Sequence, residues 1–153
     1  MNHIEKIKSM FNERDAIYDK IAHQSGLSST SFVMLYFIRD EKTDTTQAKI
    51  ADDYFYPRQS INSAVAKLVE KGYVELITQK TQGHYKLCHL TEKGVAFCTT
   101  WIDPLIQAEE ASYTSLSASD QEKFMTLYEQ QLCVFKEMLA KNHMLPRKEK
   151  QNE

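Results

Sequence analysis

The apolar spacing changes character between Thr45 and Leu90, and that change limits the fold more than any other feature of the chain. Thr45, Thr46 and Gln47 supply capping groups for a helix that would turn Ala48, Ile50, Ala51 and Tyr54 inward. Tyr56-Pro57 breaks it, and Pro57 suits the first position of a new helix running from Arg58 to about Lys71. Ile61, Ala64, Val65 and Leu68 fall at spacings of three and four on that helix, and Gly72 stops it. The period then drops from 3.6 to 2. Val74-Glu75-Leu76-Ile77-Thr78 reads as a strand, Gln79 to Gly83 as a turn, and His84 to Leu90 as the returning strand. The order is helix, tight turn, helix, hairpin.

The flanks are helical. Ile4, Ile7, Phe11, Tyr18 and Ile21 make one stripe, with Arg14 at its middle position, on a first helix over about residues 3 to 24 that Gly26 ends. The run from Phe32 to Ile38 is apolar enough for a strand. The polar Ser28-Ser29-Thr30-Ser31 before it offers N-caps and favours a buried central helix. Thr91-Glu92-Lys93-Gly94 caps a long fifth helix with Val95, Phe97, Cys98, Trp101, Ile102, Leu105 and Ile106 inward. Pro104 inside it predicts a kink or a break. Ser119-Asp120-Gln121-Glu122 reads as a capping box for a last helix that presents Phe124, Leu127, Tyr128, Leu132, Phe135, Met138 and Leu139. The tail after His143 is charged, and fraying is expected there. The fold expected is mainly α with a small β-wing. Residues 1–153 are expected to form a single domain, with a winged helix-turn-helix part at 30–93 and a helical part at 1–26 and 94–145.

The net charge of −2 does not by itself suggest nucleic acid, but its distribution does. Residues 57–93 carry six Lys/Arg against three Asp/Glu, while both flanking thirds are net negative. A duplex-binding face needs positive charge near phosphates and tolerates an acidic remainder. The second helix of a helix-turn-helix enters the major groove, where base edges carry a distinct donor and acceptor code. The outward face here holds Arg58, Gln59, Ser60, Asn62, Ser63 and Lys67, and no acidic residue occurs from Arg58 to Val69. Arg58 suits guanine, Gln59 and Asn62 suit adenine, and the serines suit bases or phosphates. Thr46 and Gln47 open the bracing helix, while Lys80, His84 and Lys86 surround the hairpin tip at Gln82-Gly83.

These residues resemble the MarR family of winged helix-turn-helix transcription regulators. The matching pieces are Thr45-Gln47-Ile50-Ala51, then Pro57 to Asn62, then Leu68 to Glu75, then Leu90-Thr91-Glu92-Lys93-Gly94, and the resemblance extends over nearly the whole chain. It implies a homodimer joined through the first and last two helices. It also implies two recognition helices on a pseudo-palindromic operator, and usually repression released by a small-molecule effector. Two departures stand out. The family's acidic-then-basic wing tip is replaced by Gln82-Gly83-His84-Tyr85-Lys86, and Ser63 occupies a position where many members carry Arg. Pairing with a second subunit would bury the apolar stripes at the two ends of the chain; packing on each other within one subunit is the alternative.

An effector pocket between the DNA-reading part and the dimer helices would be lined by Tyr18, Phe32, Tyr36, Phe97 and Trp101, although such aromatics are more often core. Cys88, Cys98 and Cys133 are odd in number and far apart, which fits reduced thiols. None lies in the first helix, where some family members sense oxidants. No Cys/His spacing suits a metal, no cofactor is expected, and no nucleophile elbow or carboxylate pair suggests an enzyme. No apolar run approaches the roughly 18 residues of a membrane span, and the amphipathic N-terminus lacks a signal-peptide core. A cytoplasmic location without a membrane partner follows. The competing reading is a winged-helix protein-interaction module without DNA binding.

Overall fold

The computed structural model describes residues 2–41, 44–79 and 85–144. The described elements run α1 (His3–Gln24), α2 (Ser29–Asp40), β1 (Thr45–Thr46), α3 (Gln47–Asp53), α4 (Arg58–Glu70), β2 (Val74–Gln79), β3 (Tyr85–Leu90), α5 (Glu92–Trp101), α6 (Asp103–Thr114) and α7 (Ala118–Lys141). This is the mainly helical architecture with a small antiparallel β-wing that the spacing predicts.

Local chemistry accounts for most helix boundaries. Asn2 and Glu5 exchange side-chain bonds with each other's backbone at 2.8 and 2.9 Å, a capping box that opens α1. Ser28 accepts from the Ser31 amide, Thr46 from Lys49 and Thr91 from Gly94. Gly26 and Gly72 follow α1 and α4 with φ of +81° and +74°, left-handed values that favour a residue without a Cβ. Three expectations need correction, and the break expected at Pro104 is present. The last helix is capped by Ser117, two residues ahead of Ser119, because the Ser117 side chain reaches the Asp120 amide. Pro57 is the N-cap of α4, one place before the first helical residue. The long fifth helix breaks into α5 and α6 at Ile102, so Pro104 lies in the first turn of α6, where its missing amide costs no helical bond. Ala48 and Val95 are exposed.

The chain divides into two compact units, Met1–Gln107 and Ala108–Glu153, with α6 beginning in the first and ending in the second. In the first unit α2 is the buried central helix. Phe32, Met34 and Leu35 are wholly buried against Ile50 of α3, Ile61, Val65 and Leu68 of α4, Val74, Cys88, Cys98 and Ile102. Each such aliphatic or aromatic side chain contributes about 1.5–3 kcal/mol relative to exposure. The sheet order is β1-β3-β2, antiparallel throughout. Cys88 pairs with Leu76 on one side and Thr45 on the other, and this central place in the sheet keeps it buried. Arg39 closes a bidentate bond on Asp103, both distances 2.7 Å, clamping the α5–α6 junction to α2. The hydrogen bond from Arg39 holds the Asp103 carboxyl below its ordinary range.

The second unit holds the end of α6 and the whole of α7. Tyr113 meets Phe124 edge-on at 6.4 Å, and Phe124 lies parallel to Tyr128 at 6.1 Å. Gln121 Nε2 donates to the Leu116 carbonyl at 2.9 Å, fixing the turn between the helices. No residue of α7 is buried.

Candidate nucleic-acid interface

The α3–α4 turn is held by aromatic packing. Tyr54 stacks on Phe37 at 3.7 Å between ring centres and donates its hydroxyl to Asp40 at 3.0 Å. Burial, then the bond to Asp40, raises the Tyr54 hydroxyl above its ordinary range, so it stays protonated and donating. Tyr56 meets the same Phe37 edge-on at 5.5 Å, and its amide reaches the Ala51 carbonyl at 3.1 Å. Lys49 of α3 bonds Asp53 at 2.6 Å and also Glu41 at the end of α2. These two bonds, Asp53 first, raise its pKa. The end of α3 and the turn after it are therefore tied to α2.

On α4 the predicted division of faces holds: Ile61, Ala64, Val65 and Leu68 are buried, Arg58, Gln59, Asn62, Ser63 and Lys67 are exposed, and Ser60 is half-buried. Pro57 gives no side-chain cap, so the first amides of α4 are left for an anion or water. The Arg58 guanidinium donates from one terminal nitrogen to both Asp52 oxygens, at 3.2 and 3.3 Å.

A surface depression joins four elements. Thr46 from β1, Gln47 and Ala48 from the start of α3, Arg58 and Asn62 from α4, and Tyr85 and Lys86 from β3 line it together. Five residues expected from sequence thus converge: Thr46, Gln47, Arg58, Asn62 and Lys86. Gln59, Ser60, Ser63 and Lys67 lie on the same helix outside that lining, and Lys80 and His84 lie outside the described residues. Sequence reasoning missed Ala48, Tyr85 and Asp52. Helical spacing assigned Ala48 to the core, Tyr85 reads as an ordinary strand residue, and nothing local marks Asp52 as the partner of Arg58.

Behind the depression, the passage from β3 into α5 is tied to the end of α4. Thr91 Oγ1 donates to the Gly72 carbonyl at 2.7 Å, and the Thr91 amide to that of Tyr73 at 3.1 Å. Lys93 donates to the Lys71 carbonyl at 2.7 Å and lies 4.6 Å from the centre of the Tyr73 ring. A Cβ on Gly94 would stand 2.0 Å from the Tyr73 carbonyl oxygen, so only glycine fits there. On the wing's other side, His89 Nδ1 lies 2.8 Å from Asp44, and that hydrogen bond raises its pKa.

The aromatics expected to line a pocket form ring pairs. Tyr18 meets Tyr36 edge-on at 6.5 Å and Phe32 meets Phe97 at 6.4 Å, with Phe32 wholly buried and Trp101 packed on the same core. Burial pushes the Cys88 and Cys98 thiols up to about 11 and about 12, so neither is a thiolate at neutral pH. Among the described residues no cluster of three His, Cys, Asp or Glu could hold a metal, and no helix is long and apolar enough to cross a membrane.

Residues 25–83 match the model of the MarR family. The fold is shared with a MarR family regulator from Neisseria meningitidis at 19% identity, covering 93% of this chain and 99% of that one, with a TM-score of 0.72. It is equally similar, at 15% identity and TM-score 0.72, to S. aureus MepR in a complex with DNA, covering 88% and 96%. MarR from Oenococcus oeni is 12% identical, with 86% and 98% covered and a TM-score of 0.68. No curated protein matches the chain in sequence.

Proposed function

Because residues 25–83 match the MarR family model and the chain shares the fold of MarR family regulators, we propose that this protein is a sequence-specific DNA-binding transcription regulator. It acts as a homodimeric, ligand-responsive repressor on a pseudo-palindromic operator. The observation that carries the DNA reading is the depression joining the start of α3, the polar face of α4 and the base of the wing. In a helix-turn-helix those are the parts that meet the phosphate backbone, the major groove and the flanking groove. Arg58 and Asn62 address base edges; Thr46, Gln47 and Lys86 address phosphates, together with the uncapped α4 amides. Gln59, Ser60, Ser63 and Lys67 extend the same surface, and Lys80 and His84 belong to the wing's share of it. The similarity to MepR, solved with DNA, supports the reading.

The dimer rests on apolar surface. Ile4 is 67% exposed, Leu127 65% and Phe135 52%, in helices that carry such residues along one stripe each. Such faces mark association sites. An effector would act near Tyr18, Phe32, Tyr36, Phe97 and Trp101, within the first unit. The chemistry expected is recognition, with no enzymatic step and no cofactor, in the cytoplasm.

Selection from random duplexes at modest salt tests the central reading. A palindromic site should be enriched, and Arg58→Ala or Asn62→Ala should each weaken binding to it by about 1–3 kcal/mol for a lost base contact. Enrichment of no site would leave the protein-interaction module as the better account.

A further inference from the structure

Phe55 is 90% exposed, more than any other large apolar side chain among the described residues, and its φ is +56°, a conformation that side-chain-bearing residues rarely adopt. Its neighbours explain the backbone. Tyr54 and Tyr56 both place their rings on Phe37. With one residue between them, the chain meets Phe37 twice only by turning residue 55 away from it. The ring is thus uncovered, while its backbone is held on both sides by the two tyrosines.

Its position in the fold indicates what covers it. Across the turn, Arg58 bonds Asp52, so Phe55 stands between the end of α3 and the first turn of α4. That first turn is continuous with the depression lined by Gln47, Arg58 and Asn62. On the proposed reading, this is where the helix enters the major groove. The thymine methyl is the apolar group that base edges present in that groove, and phenylalanine is a side chain that packs against it.

We propose that Phe55 is a base-reading residue that packs on a thymine methyl at the edge of each operator half-site. The inference rests on the DNA-reading function. It adds an apolar contact to a surface whose other members read by hydrogen bonds. No chemical step is involved; the contact discriminates through burial of one methyl group.

The test uses the full chain and the duplex it selects, with each thymine replaced in turn by deoxyuridine, which removes only the methyl. Wild type should lose about fourfold in affinity at one thymine per half-site, the worth of one buried methyl group. Phe55→Gly, which also relieves the positive φ and should keep or raise Tm, should lose at least about fourfold on the unmodified duplex. It should also be indifferent to deoxyuridine at that position, while Phe55→Leu keeps part of the sensitivity. Three results would overturn the proposal. One is a deoxyuridine scan that is flat for wild type. Another is a Phe55→Gly protein that keeps full affinity. The third is uniform weakening on all duplexes with the deoxyuridine effect intact, which would place the ring on the sugar-phosphate backbone. Failure of wild type to select any site would instead remove the DNA-reading function itself.

Discussion

Arg58, proposed to read a base, is already engaged by Asp52. Its bond to Asp52 is an exposed ion pair, worth at most about 1 kcal/mol, so it does not hold the turn together. Its consequence lies in the surface charge. Guanidinium has five donors and Asp52 engages one terminal nitrogen, which leaves the rest for a base edge. Asp52 also sets a negative charge beside the surface proposed to meet phosphates. Non-specific binding runs on phosphate charge, whereas base reading depends on geometry. Asp52→Asn should therefore leave unfolding free energy within about 0.5 kcal/mol of wild type. It should tighten binding to scrambled duplex and lower the ratio of selected-site to scrambled affinity. Paired titrations at one salt concentration check this; an unchanged ratio would show that Asp52 has no part in selectivity.

Among the elements, the wing depends on partners that the hairpin does not contain. β1 is two residues long and exists because β3 lies beside it. Asp44, immediately before β1, bonds His89 on β3, and Glu75 of β2 lies 3.9 Å from the other ring nitrogen. Both neighbours favour the protonated ring, so the folded pKa lies above the ordinary 6.5. A raised folded pKa gives stability that is complete below the unfolded value and is lost as pH rises through the folded one. Raising the pH from about 6 to about 8.5 should thus reduce wild-type stability relative to His89→Gln, which cannot titrate. Denaturant unfolding of both proteins across that range measures it, and parallel curves would sink the idea. The α5 start has the opposite character: Thr91 and Gly94 were legible as a cap in sequence. What sequence could not show is that Gly94 is also required by the Tyr73 carbonyl against it.

For the whole molecule, the unexplained surface is the apolar one. α7 runs from Ala118 to Lys141 without one buried residue, yet Leu127, Val134, Phe135 and Met138 line an apolar depression on it. α1 exposes Ile4, Ile7, Met10, Phe11 and Ile17. A second copy of the chain would cover such stripes at roughly 25 cal/mol per Å² of apolar area. Sedimentation at micromolar concentration should give twice the mass of one chain. Leu127→Glu combined with Phe135→Glu should give one chain mass with helical content preserved, and should abolish tight binding to a full palindrome. A wild-type protein that sediments as one chain at that concentration would exclude the dimer.

The sequence by itself determined the two faces of α4, its stop at Gly72, the switch to a hairpin and the caps at Thr46 and Thr91. Each is set by spacing or turn chemistry within a few residues. It also marked the break near Pro104, since the missing amide acts locally. Tertiary structure alone decided that Thr45-Thr46 pairs as a strand and that Ala48 is exposed. It decided too that Arg39 clamps Asp103 and that Asp52 meets Arg58. Those outcomes depend on which distant groups arrive at the same place, and no local period encodes that. The exposed polar face from Arg58 to Lys67 was legible because one helix supplies it. Phe55 was not, because its exposure is set by two tyrosines packing on a ring in another helix.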